Sequence, residues 1–121
     1  MSMKLWRPVG KAELDLIEAA RWKAFPPRLP DQPIFYPVLT FGYAEKIARD
    51  WNSTRENHDY LGFVVEFEIS EAMADKYPAE EAGGKAHTEL WVPTEELEEF
   101  NSEIQGTIRL VATYKNGSKA D

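Results

Sequence analysis

A glutamate at the start of a short strand is the first candidate for chemistry. Glu89 shares a strand face with Trp91 and follows the glycine pair Gly83-Gly84. A carboxylate beside an aromatic ring at a strand end can act as a general base or stabilise a developing cation. His87 flanks the same position and could contact the same ligand, although a lone histidine near a loop is commonly a surface residue. An ordinary exposed strand glutamate is the alternative for Glu89.

An arginine on an apolar strand face is the second candidate. Arg7 alternates with apolar residues that should be buried, so its guanidinium needs a partner. That partner could be a carboxylate such as Glu89, Glu66 or Glu68, or it could be a phosphate bound through two N–H groups. The residue types leave the structural ion pair and the ligand contact equally open.

A stiff segment could form the wall of such a site. Residues 25–39 hold five of the eight prolines, which excludes a helix and an ordinary central strand. The same segment is rich in apolar and aromatic side chains that favour burial. Tyr36 could stack on a planar ligand ring and Arg28 could meet a phosphate. A purely structural crossover loop is the alternative.

Composition excludes several classes of protein. The 121 residues include no cysteine and two histidines, so disulfides and thiolate metal sites are excluded and a histidine metal site is not expected. The net charge of −7 argues against nonspecific binding to nucleic acid or an anionic membrane. No apolar run approaches a membrane span or a signal sequence, which predicts a cytoplasmic protein. No phosphate-loop, nucleophile-elbow or metal-ligand motif is present.

The helices and strands that position these residues can be predicted from the spacing of apolar residues and from the prolines and glycines that interrupt it. The sequence predicts one α+β domain over residues 1–121, with a curved or split mixed sheet and three to four short helices. Residues 52–59 are expected to form a mobile surface loop, and residues 114–121 a frayed polar tail. The predicted strands cover residues 4–9, 60–69, 88–92 and 104–114, and the predicted helices cover residues 11–20, 42–51, 70–76 and about two turns after Thr94.

The same patterns predict which faces are buried. In the second helix, Ala44, Ile47, Ala48 and Trp51 form one apolar stripe. In the strand over residues 60–69, alternate residues beginning at Phe63 should face the core. Ile108, Leu110 and Ala112 are expected on one face of the last long strand, and Leu16 is a further candidate for the inner face of the first helix.

Four phrases carry a resemblance to a known family. They are Leu-Trp-Arg-Pro-Val-Gly, Ala-Phe-Pro-Pro-Arg-Leu-Pro-Asp-Gln-Pro-Ile-Phe-Tyr-Pro-Val-Leu, Tyr-Ala-Glu-Lys-Ile-Ala-Arg-Asp-Trp-Asn and Glu-Leu-Trp-Val-Pro-Thr-Glu-Glu-Leu-Glu-Glu-Phe-Asn. Together they resemble small bacterial proteins labelled "ADP-ribosylation/J-crystallin" or uncharacterised, across residues 4–114. The hydrolases that this label suggests are larger, all-helical and metal-dependent, unlike this short, strand-rich chain.

The element order is instead similar to the ADP-ribosyltransferase fold, and this resemblance implies roles. Arg7 on the first strand would contact the dinucleotide, Tyr36 would lie beside the nicotinamide, and Glu89 at the start of a late strand would be catalytic. NAD would be the substrate, an unknown protein the acceptor, and no metal would be needed. The chain lacks the Ser-Thr-Ser motif, a doubled Glu-x-Glu and a first-strand histidine.

A second class of function fits the acidic helix near the carboxyl end. The five glutamates at positions 95, 96, 98, 99 and 103 are most simply a solvated helix face, but they could also contact a partner. The sequence therefore predicts an ADP-ribosyltransferase-like domain that binds NAD or a related nucleotide, with a non-catalytic protein-interaction module as the alternative.

Overall fold

The computed structural model describes residues 2–27, 32–77, 79–81 and 88–120. The strands are β1 (Ser2–Gly10), β2 (Ile34–Phe35), β3 (Leu61–Ser70), β4 (Ala79–Glu81), β5 (Thr88–Leu90), β6 (Val92–Pro93), β7 (Ile104–Lys115) and β8 (Ser118–Ala120). The helices are α1 (Lys11–Ala19), α2 (Phe41–Asp50), α3 (Glu71–Ala74) and α4 (Leu97–Ser102). The predicted α+β class and the expected number of helices are confirmed.

The main sheet has four strands in the order β1-β3-β7-β8. β1 pairs with β3 along its whole length, and the β3–β7 ladder is interrupted by two register shifts that introduce bulges. β7 and β8 form a hairpin around Asn116 and Gly117, whose φ angles of 51° and 84° suit a tight hairpin turn. The prediction of a frayed tail is therefore wrong, because this Asn-Gly turn folds residues 118–120 back onto β7.

The end of the proline-rich segment forms a second ladder. Ile34 pairs with Pro93, and Val38 pairs with Glu89 in the same antiparallel register. On its other side Val38 exchanges two backbone hydrogen bonds with Trp6, at 2.8 and 3.0 Å. All described strand pairs are antiparallel, so the expected mixed sheet is wrong.

Among the described residues the two ladders meet at Trp6 and Val38, and the sheet splits beyond that bridge. β1 continues along β3 to Gly10, whereas the proline-rich segment turns toward β6. Prolines supply no backbone donor, which limits pairing in this segment to short stretches. The split leaves a cleft whose walls belong to distant parts of the chain.

Both faces of β3 are buried. On one face Phe67 packs against Phe25 and Phe100, with ring centroids 4.9 and 6.0 Å apart. On the other face Val64 packs against α2 through Ala44 and Ala48. The alternation predicted for this strand is confirmed. A sheet covered on both faces explains how a chain of 121 residues encloses two apolar clusters.

The end of α2 lies against β3 at a glycine. A β-carbon on Gly62 would lie 2.1 Å from the carbonyl oxygen of Ala48 and 3.0 Å from Cβ of Asn52.

Ser53 Oγ donates to the Arg49 carbonyl at 2.5 Å and accepts from Gly117 N at 2.9 Å. Hydroxyl groups thus satisfy carbonyls that the helix end leaves open.

Several exposure predictions are wrong near this helix end and elsewhere. Residues 52–58 form two short 3₁₀ turns, and the first buries Asn52 and Ser53. Trp51 lies just beyond the last turn of α2 and is exposed, so it leaves the apolar stripe. Leu16 and Leu110 are also exposed. No helix in the described parts of the chain combines the length and apolar composition that crossing a bilayer requires.

Candidate functional site

A cavity of about 360 Å³ occupies the split between the two ladders. Arg7 reaches it from β1, Tyr36 from the proline-rich segment and Glu89 from β5. These three residues are far apart in the sequence, and the sequence analysis placed all three in one site. The structure brings them to one cavity.

Two neighbouring donors orient the carboxylate of Glu89. Trp91 Nε1 donates to Oε1 at 3.0 Å, and the Tyr43 hydroxyl donates to Oε2 at 3.3 Å. Burial, and then the negative charge of Glu89, raise the pKa of the Tyr43 phenol, which keeps it a donor at neutral pH. The backbone of Glu89 is fixed by its bridge to Val38. The result is a half-buried carboxylate with a defined orientation.

Arg7 is held by a different carboxylate from those expected. Its Nε and Nη2 donate to the two oxygens of Glu13 at 2.6 and 2.9 Å. The predicted partners Glu89, Glu66 and Glu68 are wrong. α1 begins directly after β1 and brings Glu13 back over the arginine, whereas Glu66 and Glu68 pair with Arg109 on the opposite side of the sheet.

The guanidinium of Arg7 also connects the two walls of the cleft. Nη1 donates to the Tyr36 carbonyl at 3.4 Å, and Cζ lies 4.6 Å from the centre of the Phe35 ring. Only 8% of Arg7 is exposed. The cation is therefore fixed in place at the bottom of the cleft before any ligand binds.

Three partly exposed aromatic side chains line the same cavity. Tyr36, Trp51 and Trp91 are 37%, 54% and 47% exposed. The rings of Tyr36 and Trp91 meet edge to face at 6.0 Å, and the Arg55 guanidinium lies 3.7 Å from the Trp51 ring. Exposed aromatic rings around a carboxylate offer stacking surfaces for a planar or sugar-like ligand.

Comparison with known proteins adds no family to this geometry. The chain matches no protein-family model, no curated protein and no solved structure. The resemblance drawn from the sequence phrases stays a prediction, and function is argued from the side chains of the cleft.

A second cavity of about 430 Å³ adjoins the first. Both are lined by Arg7, Pro8 and Asn52, so the two cavities share a wall at the end of β1. The second one extends toward the start of α1, His58 and the prolines that open the stiff segment. The predicted ligand residues Arg28 and His87 lie outside the described residues.

Four residues of the site did not emerge from the sequence. Trp51 looked like part of a helical core stripe, and Asn52 like part of a polar loop. Tyr43 lies in the first turn of α2, which no motif marked. The partner of Arg7, Glu13, lies in the first turn of α1, where no motif marked it. In the described residues no group of three histidine or carboxylate side chains is arranged to hold a metal ion.

Proposed function

We propose that the protein binds NAD or a related nucleotide in the cleft and acts as an ADP-ribosyltransferase-like enzyme. The observation that carries this proposal is the convergence of Arg7, Tyr36 and Glu89 on one cavity with two exposed tryptophans. These are the three positions that the resemblance assigned before the cleft was known. A planar ring, a sugar and a phosphate each meet a suitable side chain there.

The strand arrangement supports the same proposal. Arg7 lies on the first strand, and Glu89 lies at the start of a late strand, with the proline-rich segment between them. This is the order that the ADP-ribosyltransferase resemblance implies. One architecture can host many activities, so the activity is determined by the side chains of the cleft.

The proposed reaction uses Glu89 electrostatically. The bond between ribose C1′ and the nicotinamide nitrogen breaks, and its electron pair leaves with nicotinamide. The carboxylate stabilises the oxocarbenium-like ribose until a lone pair of the acceptor forms the new bond to C1′. The proton of the acceptor passes to Glu89 or to water. Tyr36, Trp51 or Trp91 would stack on the nicotinamide ring, and Arg7 would contact phosphate.

Nicotinamide release from NAD tests this proposal directly. Glu89→Gln keeps the shape of the side chain and removes its charge, so release should fall about 100-fold or more while the fold is retained. Glu98→Gln makes the same change at an exposed helix position and should leave release unchanged. Millimolar NAD and ADP-ribose should raise the melting temperature. No shift with either ligand, together with no release, would overturn the proposal.

One observation favours the interaction module as a second candidate. Glu95 and Glu98 are exposed at the rim of a cavity of about 410 Å³ that is lined by Phe25 and Leu97. Thr94 and Asn101 line the same depression, so carboxylates beside a mixed polar and apolar surface would suit a basic partner. The acidic surface is smaller than expected, because Glu96 accepts from the Tyr77 hydroxyl at 2.8 Å.

Charge reversal separates the two candidates. Glu95→Lys with Glu98→Lys should abolish capture of a partner if the acidic surface is an interface, and Glu89→Gln should not affect it. If the cleft is the functional site, Glu89→Gln should reduce nicotinamide release, and the double charge reversal should leave it unchanged. Both variants change residues that are at least partly accessible, so the fold should tolerate them.

A further inference from the structure

The wall shared by the two cavities contains a side chain with a buried polar atom that is not hydrogen-bonded among the described residues. Asn52 is only 7% exposed, and its Oδ1 has no hydrogen-bond partner among the described residues. Asn52 lines both cavities. Nearly all buried polar atoms in folded proteins are hydrogen-bonded, so this acceptor needs an explanation.

Folding of the helix end does not explain it. Ser53 and Thr54 donate to the Arg49 and Asp50 carbonyls at the end of α2, at 2.5 and 2.9 Å. These side chains satisfy that end without the amide of Asn52. An apolar side chain of similar size would avoid the cost of burying an unpaired acceptor. The asparagine is thus costly to the empty protein, a pattern typical of a group that meets a ligand.

We propose that Asn52 is a specificity-determining residue whose side-chain amide turns toward the bound ligand, so that Oδ1, which is enclosed in the empty protein, accepts a hydrogen bond from a neutral N–H or O–H group. This inference rests on the proposed nucleotide site and adds to it a residue that the resemblance does not assign. A phosphate oxygen carries no proton for Oδ1 at neutral pH, so the phosphates lie elsewhere, within reach of Arg7. The donor is a ribose hydroxyl, the 6-amino group of adenine or the carboxamide of nicotinamide.

The residues that line both cavities indicate how a ligand would be oriented. One cavity offers the aromatic rings and Glu89, and the other runs toward His58 and the start of α1. A ligand that donates to Asn52 lies against this shared wall and can extend along it from one cavity toward the other. The expected ligand is therefore larger than a single ring, which fits a nucleotide better than free nicotinamide.

Ligand binding can be measured by tryptophan fluorescence, because the two exposed tryptophans, Trp51 and Trp91, both line the cleft. NAD, ADP-ribose and nicotinamide are titrated into the wild type, Asn52→Leu and Gln105→Leu. The last variant removes a carboxamide from an exposed β7 position that lines neither cavity. Asn52→Leu should weaken NAD about tenfold or more, and its melting temperature without ligand should be unchanged or higher. Gln105→Leu should bind as the wild type does.

The separate ligands identify the donor. Weaker binding of ADP-ribose alone assigns a ribose hydroxyl or the adenine amino group, and weaker binding of nicotinamide assigns the carboxamide; either result supports the role of Asn52. If Asn52→Leu does not fold, Asn52→Ala also removes the acceptor and should give the same loss. Binding of NAD by the variant within twofold of the wild type overturns this inference and leaves the proposed function standing. If none of the three ligands binds the wild type, both the proposed function and the role of Asn52 are overturned. If binding depends on Asn52 but no nicotinamide is released, only the proposed enzymatic activity is overturned.

Discussion

Two buried tyrosines should make the protein sensitive to alkaline pH. Tyr114 donates to Glu45 at 2.6 Å, and Tyr77 donates to Glu96 at 2.8 Å. Burial first, and then these carboxylates, raise the pKa of both phenols well above its usual range. The unfolded chain loses its phenol protons near pH 10, while the folded chain keeps them. The unfolded state then binds fewer protons, so stability is retained below pH 10 and falls as the pH rises above it.

Urea unfolding at pH 9 and at pH 11 measures this loss. Each tyrosine should contribute up to about 1.4 kcal/mol per pH unit above pH 10. Tyr114→Phe removes one ionisable group and should flatten the alkaline decline. Tyr60→Phe, at an exposed position, is the control and should leave the decline unchanged. An equal slope for the wild type and Tyr114→Phe would contradict the assignment.

Trp91 combines two roles that a single substitution can separate. Its ring lines the cleft, and its Nε1 donates to Glu89 at 3.0 Å. Trp91→Phe keeps an aromatic surface and removes the donor. If Glu89 is catalytic, NAD affinity should change less than threefold while nicotinamide release falls about tenfold. A large loss of affinity with an unchanged rate constant would instead assign Trp91 to binding alone.

At the scale of elements, one glycine determines how closely α2 approaches the sheet. A β-carbon at Gly62 would collide with the Ala48 backbone at 2.1 Å, so Gly62→Ala should destabilise the fold by about 1–3 kcal/mol. It should also weaken NAD binding, because Asn52 lies at the same contact. Gly42→Ala is the matched control: its β-carbon would have no neighbour within 4 Å, and alanine favours a helix by up to about 1 kcal/mol.

Chemical denaturation of both alanine variants gives the two free energies of unfolding. Opposite signs are expected, with only Gly62→Ala affecting the ligand. A neutral effect of Gly62→Ala would mean that the helix end can move away from β3 without loss. The position of Asn52 would then not depend on this contact.

The periodic elements were predictable because their signals are local. Alternation in β3 and the Thr40 cap of α2 depend on residues within a few positions of each other. Trp51 was not predictable in this way, since its exposure depends on where α2 ends. The pairing of Arg7 with Glu13 depends on the angle between β1 and α1, which composition does not determine. Asn52 became a candidate only when its burial and missing partner were visible.

At the scale of the whole molecule, net charge should oppose an anionic ligand. The chain carries a net charge of −7, and its fixed cation Arg7 is paired with Glu13. The Debye length falls from about 30 Å at 0.01 M salt to about 8 Å at 0.15 M. Added salt should therefore raise the association rate of ADP-ribose, whose diphosphate is anionic, by a few fold.

Stopped-flow tryptophan fluorescence at 10 and 150 mM salt measures this effect, and neutral nicotinamide provides the control with no salt dependence. Glu95→Gln with Glu98→Gln removes two negative charges outside the cleft and should speed association of ADP-ribose at low salt only. A rate that falls with salt would mean that a local positive potential at the cleft outweighs the overall charge. In that case Arg7, rather than the acidic surface, would govern how an anionic ligand approaches.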